Sequence, residues 1–156
     1  MNSGIGLVFP GQGSQSVGMG KALCEAYPRL KLIYDEASSV LGYDSAVLCF
    51  EGPAERLNLT ENTQPALLVS SIAALKTLES AGLKPVAVAG HSLGEYSALV
   101  AAGGVSFRDA VGLVQKRGRY MSEAVPAGTG QVAALLGLTP DVVREVCREA
   151  SSVGVV

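Results

Sequence analysis

The run Val86-Ala87-Val88-Ala89-Gly90-His91-Ser92-Leu93-Gly94-Glu95 constrains this chain more than any other stretch. Four small or β-branched apolar residues read as a buried strand, and the small, apolar residues from Tyr96 to Val105 read as a helix. Between them, Gly90-x-Ser92-x-Gly94 allows only a sharp turn. The backbone at the serine is strained and crowded between strand and helix, so glycine is needed on both sides. Such a turn lifts the serine hydroxyl to the carboxyl end of a sheet, at a helix N-terminus. The following backbone N–H groups can there bind a developing oxyanion. Two readings stand at this point. Ser92 is an acyl-transferring nucleophile, or the run is a Gly/Ser-rich turn with no chemistry; the strand before it and the helix after it favour the first.

The rest of the chain alternates in the same way. Ile5 to Phe9 forms a short apolar strand ended by Pro10, and a glycine-rich loop runs from Gly11 to Gly20. A helix to about Ala26 follows, then one opened by Pro28 and ending near Gly42, then a short helix within Gly52–Asn58. Thr63 caps a long helix with Pro65 in its first turn, running to Glu79 and stopped by Gly82. Ser106 caps a helix from Phe107 to Val125, with Asp109 three residues on favouring its N-terminus. This order predicts an α/β fold with a parallel sheet, and the apolar composition suits strands covered on both faces. After the linker Pro126–Gly130 the pattern changes. Gln131–Gly137 reads as a strand, Thr139-Pro140 starts a helix to about Ala150, and Val153 begins another strand. The expected division is therefore residues 1–126 and residues 127–156, the second being the start of a smaller unit. A chain stopping mid-strand without a polar tail has the pattern of a truncated one.

Composition removes several function classes. The 156 residues are 48% hydrophobic and carry a net charge of −2, which argues against a general nucleic-acid binder. No stretch reaches the roughly 18 apolar residues of a membrane span, and no basic segment precedes an apolar run at the N-terminus. Cys24, Cys49 and Cys147 are odd in number and far apart, which suits neither a disulfide framework nor a metal site. They read as core thiols in a reducing cytosol, so a cytoplasmic protein without a metal is expected.

Three further positions bear on chemistry. The Gly11–Gly20 loop is not a phosphate loop, because Met19-Gly20 stands where Lys-Ser/Thr is required, and the dinucleotide fingerprint lacks its third glycine at Ser16. No cofactor is implied. The loop still exposes N–H groups at the carboxyl edge of a sheet, where a second oxyanion donor often originates; the alternative is a plain turn. Arg117 falls within an apolar stripe of Phe107, Ala110, Val111, Val114, Met121 and Ala124, taken at ~100° per residue. Burying an unpaired guanidinium costs several kcal/mol. Arg117 therefore meets a protein carboxylate, awaits an anionic ligand, or packs its stem inward with its head in water. His91, the chain's one histidine, leaves the strand on the opposite side from Ser92. It reads as a structural imidazole rather than the base that a serine nucleophile needs.

The motifs Phe9-Pro10-Gly11-Gln12-Gly13-Ser14-Gln15, Thr63-Gln64-Pro65-Ala66, Gly90-His91-Ser92-Leu93-Gly94-Glu95-Tyr96-Ser97 and Arg117-Gly118 together resemble the malonyl-CoA:acyl-carrier-protein transacylases, in particular the bacterial stand-alone type. The resemblance covers essentially the whole chain. It implies an α/β-hydrolase-like parallel sheet, here incomplete, with the start of a ferredoxin-like small subdomain in residues 127–156. It implies a ping-pong transfer in fatty-acid biosynthesis, in which Ser92 accepts the malonyl group of malonyl-CoA and the pantetheine thiol of acyl carrier protein removes it. The N–H groups of Gln12 and Leu93 would form the oxyanion hole. Arg117 would hold the malonyl carboxylate, and Gln64 would lie near the pocket.

One departure is expected from the same resemblance. The family's catalytic histidine would lie beyond Val156, so the chain by itself would expose unpaired sheet edges, tend to aggregate and turn over little. Two other readings are kept. One is an α/β-hydrolase esterase using the same turn, disfavoured by Arg117 and the Gln12 loop. The other is a non-catalytic remnant that only docks acyl carrier protein through surface charges such as Lys116 and Arg119.

Overall fold

A computed structural model describes residues 4–125 and 135–152, in two units, Met1–Val125 and Pro126–Val156. In the first unit, β1 (Gly6–Phe9) and β2 (Ala87–Gly90) pair in parallel, with Gly6 opposite Ala87 and Phe9 opposite Gly90. Parallel pairing requires a long crossover. Here it carries α1 (Lys21–Ala26), a 3-10 turn at Pro28–Leu30, α2 (Lys31–Leu41), α3 (Ser45–Glu51), α4 (Ala54–Leu57) and α5 (Thr60–Ser80). After β2 come α6 (Gly94–Ala101) and α7 (Phe107–Ala124).

The core forms around α5. Every residue from Asn62 to Val69 is buried, the state expected of a helix enclosed on all sides rather than one with a solvent face. Leu68, Val69 and Ala73 of α5 pack with Tyr34 and Ala37 of α2 and with Ala110, Val111 and Val114 of α7. The α5–α7 crossing is close because α7 presents Gly118 there. A Cβ at that position would lie 2.7 Å from Glu61 Cα and 2.8 Å from the Thr60 carbonyl oxygen. Gly118→Val is therefore expected to force the helices apart and destabilise the fold by about 1–3 kcal/mol, read as a lowered midpoint in chemical denaturation. An unchanged midpoint would show that the crossing is looser than these distances.

Several expectations are corrected by the structure. Helix α5 starts at Thr60 with Leu59 at its cap position, so Thr63 lies inside the helix and Pro65 lies beyond its first turn. The Thr63 hydroxyl donates to the carbonyls of Leu57 (2.6 Å) and Leu59 (3.1 Å) instead of accepting from N–H groups. Its bonding serves the entry to the helix, but from within. Helix α3 has no counterpart among the expected elements. Its start signal is Asp44, whose side chain accepts from the Val47 N–H, as an N-cap residue does. The expected cap at Ser106 is present, accepting from the Asp109 N–H.

The sheet is not covered on both faces among the described residues. Val8 is 79% exposed and Val86 73% exposed, while Phe9 is buried against the helices. The apolar pattern that predicts two covered faces is present in the strands, but the described helices lie against one.

Burial also decides thiol chemistry. Cys49 is fully buried in α3, and burial pushes its thiol up to about 12. Only roughly one molecule in 10⁴ would carry the thiolate at pH 8. Native protein treated with iodoacetamide at that pH is expected to leave Cys49 unmodified until it is unfolded; labelling at the native rate of an exposed thiol would contradict this burial.

The second unit is described over residues 135–152. Helix α8 (Pro140–Ala150) follows Thr139 at its cap position, as expected, and its surface carries the pairs Asp141–Arg144 and Glu145–Arg148. The strand expected at 131–137 lies mostly outside the described residues. Its last three positions are irregular, with Gly137 at φ +73°. The linker 126–130 and the strand expected from Val153 lie outside the described residues.

Candidate active site

Ser92 occupies the turn between β2 and α6 with φ +52°, the one non-glycine residue with positive φ among the described residues. The left-handed region is costly for a side-chain-bearing residue and is occupied where surrounding structure over-determines it. Here that structure is the approach of β1, β2 and α6. A Cβ on Gly94 would lie 2.2 Å from the Phe9 carbonyl oxygen, and one on Gly90 would lie 2.0 Å from the Gly94 carbonyl carbon. The His91 N–H donates to the Phe9 carbonyl (3.1 Å), carrying the ladder one residue past β2. The two glycines thus allow the helix to begin almost on top of the strands, and Ser92 projects from the bend as an exposed side chain.

Arg117 reaches this serine from α7. Its Nη2 donates to Ser92 Oγ at 3.0 Å, and its Nη1 donates to Gln64 Oε1 at 2.7 Å. The guanidinium carbon lies 5.8 Å from the centre of the Tyr96 ring, over its face. Gln64 is completely buried in α5, and its Nε2 donates to the Met121 sulfur at 3.2 Å. Because Oε1 is committed to the arginine, the amide of Gln64 has one orientation. Gln64, Arg117 and Ser92 therefore form a chain of hydrogen bonds running from the core to the surface.

No carboxylate pairs with Arg117 among the described residues; the ion pairs of this unit are Lys76–Glu79 and Arg119–Glu123, both exposed. Of the three readings open for this arginine, the first is therefore excluded within the described residues. The stripe that contains it is also revised. Ala110, Val111, Val114 and Gly118 are buried, whereas Met121 and Ala124 are exposed. Arg117 sits where the buried face of α7 gives way to an open depression of about 410 Å³ lined by Leu113, Lys116, Tyr120, Met121 and Ala124.

The loop after β1 lies beside the same turn, pinned by side chains. Gln12 Nε2 donates to Thr60 Oγ1 (3.2 Å) and Gln15 Nε2 to Asn58 Oδ1 (2.9 Å), while Gln15 Oε1 accepts from the Gly13 N–H (2.8 Å). Gly11 packs against His91, whose Nδ1 would lie 2.6 Å from a Cβ there. His91 is thus placed against the loop, with no hydrogen bond to Ser92, consistent with a structural role. Neither the Gln12 N–H nor the Leu93 N–H is used in a hydrogen bond among the described residues. Leu93, fully buried, stands at the start of α6, where N–H groups carry the positive end of the helix dipole.

The sequence patterns assign no role to Tyr96, Met121 or the tether residues Asn58 and Thr60. None of them has a legible signal, because their partners lie on other elements. Among the described residues no group of three or more acidic, histidine or cysteine side chains could hold a metal, and no helix is long and apolar enough to cross a membrane.

A strained, exposed serine at a strand-to-helix turn, hydrogen-bonded by a guanidinium, is an arrangement able to present a nucleophilic hydroxyl. The comparison with known proteins agrees: the chain belongs to the acyl transferase domain family, whose model matches residues 7–156. Within it, the chain is 53% identical over 152 residues to the malonyl CoA-acyl carrier protein transacylase of Bacillus subtilis, covering 97% of this chain and 48% of that protein. It is 52% identical over 145 residues to the corresponding protein of Escherichia coli, covering 92% and 47%. Among solved structures, an acyl-carrier-protein S-malonyltransferase from Burkholderia pseudomallei superposes with a TM-score of 0.89 at 52% identity, covering 97% of this chain and 50% of that one. A malonyl-transacylase in complex with a type II PKS acyl-carrier protein does so with 0.89 at 47% identity, covering 96% and 48%. The chain spans about half the length of the curated relatives it matches.

Proposed function

We propose that this chain carries the nucleophile and the acyl-recognition arginine of a malonyl-CoA:acyl-carrier-protein transacylase acting in cytoplasmic fatty-acid biosynthesis. The observation that carries the reading is the Gln64–Arg117–Ser92 chain. A guanidinium with no carboxylate partner among the described residues is held beside a strained serine, so a thioester whose acyl group ends in a carboxylate meets both at once. Relatives named for that reaction support the same assignment.

In the first half-reaction Ser92 Oγ attacks the malonyl thioester carbonyl, and the tetrahedral oxyanion accepts from the N–H groups of Gln12 and Leu93. The carbon–sulfur bond breaks, coenzyme A leaves as the thiol, and a malonyl-serine ester remains. The pantetheine thiol of acyl carrier protein then attacks the ester through the same oxyanion site and releases Ser92. Arg117 binds the free carboxylate through its fork of donors, so an acetyl group leaves the cation unpaired and is discriminated against. The base that takes the Ser92 proton is supplied by a group outside the described residues. In the same reading, the first unit is part of an α/β-hydrolase-like sheet. Residues 127–156 open a ferredoxin-like subdomain, consistent with α8, whose apolar side chains Val142, Val143, Val146 and Cys147 repeat at helical spacing.

The test is covalent loading. The full polypeptide incubated with malonyl-CoA is expected to gain the mass of one malonyl group on Ser92 and to lose it on addition of holo acyl carrier protein, with acetyl-CoA loading far less. Release of free malonate without transfer would support an esterase instead. Binding of acyl carrier protein without any adduct would support a docking module.

A further inference from the structure

Arg117 is held from three sides, and the three contacts differ in what a ligand would do to them. Gln64 and Ser92 each occupy N–H donors on the edge of the guanidinium. An acyl carboxylate must bind on that edge, because the donors lie in the plane, and so it competes with at least one of the two. The guanidinium carbon lies over the face of the Tyr96 ring, 5.8 Å from its centre, a contact separate from the two side-chain hydrogen bonds. The ring is itself fixed: Tyr96 stands in the first turn of α6, its N–H donates to the Leu93 carbonyl at 3.0 Å, and it packs against the buried core.

We infer that Tyr96 is a positioning residue for Arg117, holding the guanidinium plane through a cation–π contact so that its donor edge faces an acyl carboxylate. Tyr96 thereby contributes to selection of carboxylate-bearing acyl groups without touching them. The inference rests on the transacylase reading above. Its chemical content is specific, since the interaction depends on the negative face of the ring and not on the phenol hydroxyl.

The experiment replaces Tyr96 in the full polypeptide by phenylalanine and then by mono-, di- and trifluorinated phenylalanines, which keep the shape while draining the ring face of negative charge. The readout is kcat/KM for loading from malonyl-CoA against acetyl-CoA. Tyr96→Phe is expected to keep the malonyl preference. The fluorinated series is expected to lower it stepwise by about three- to tenfold in total, with the acetyl rate and the melting temperature unchanged. A flat series, an equal loss on both donors, or a loss already complete in Tyr96→Phe would overturn the inference. Arg117→Ala in the same assay separates the two levels. If it abolishes the preference while the series is flat, Tyr96 alone loses its role; if it leaves the preference intact, the transacylase reading of Arg117 falls and takes this inference with it.

Discussion

Ser92→Ala is expected to eliminate the malonyl adduct and to reduce transfer to acyl carrier protein by at least about 10⁴-fold, the scale on which nucleophile deletions act in enzymes with covalent intermediates. The reason is structural as well as chemical. Ser92 is presented by a bend that Gly90 and Gly94 make possible, with β1 only 2.2 Å from where a Gly94 Cβ would stand. No other hydroxyl hydrogen-bonds to Arg117 among the described residues. The fold should not suffer, because the side chain is exposed. Ser92→Gly should go further. At φ +52° a glycine relieves strain, for a gain on the order of 1 kcal/mol, so the inactive glycine variant is expected to melt above wild type. Measuring loading by intact mass and stability by calorimetry on the three proteins checks both statements. An adduct on the alanine variant would remove Ser92 from the reaction.

Arg117→Ala is expected to lower kcat/KM for malonyl-CoA by roughly 30- to 150-fold, about 2–3 kcal/mol, while acetyl-CoA changes little or improves. Loss of one partner from a buried, hydrogen-bonded charge pair costs about 2–5 kcal/mol. The lower part of that range applies because Arg117 is half-buried beside an open depression. Arg117→Lys should recover only part of the loss, since one ammonium cannot reach Gln64 and a carboxylate with the geometry of a planar fork. Equal losses on both acyl donors would mean that Arg117 serves Ser92 alone, through the 3.0 Å hydrogen bond to its hydroxyl.

Local features are legible in the amino-acid sequence. The turn at Ser92, the cap at Ser106 and the end of α2 at Gly42 each depend on residues within a few positions of one another, where backbone sterics and short-range hydrogen bonds decide the outcome. The start of α5 is harder to read because Thr63 carries the chemistry of a cap residue. The chain enters the helix three residues earlier and uses the hydroxyl to tie back to Leu57 and Leu59. The stripe on α7 misleads at its end because periodicity cannot tell where a neighbouring helix stops. Met121 has the right phase but is exposed, whereas Gly118, which contributes nothing to a hydrophobic count, lies at the closest approach to α5.

What the sequence determined by itself is the sharp turn at Ser92 and an arginine set within the apolar stripe of a helix. Both are local statements, about strain at one serine and the desolvation of one cation. What only the tertiary structure decided is the pairing. Gln64, Ser92, Tyr96 and Arg117 come from three helices and a turn, and nothing in their spacing states that they converge. They converge because parallel pairing of β1 and β2 sets α6 against the strands, and because Gly118 lets α7 approach α5 closely. Contacts between distant segments are set by packing, which a linear pattern encodes only through the fold it produces.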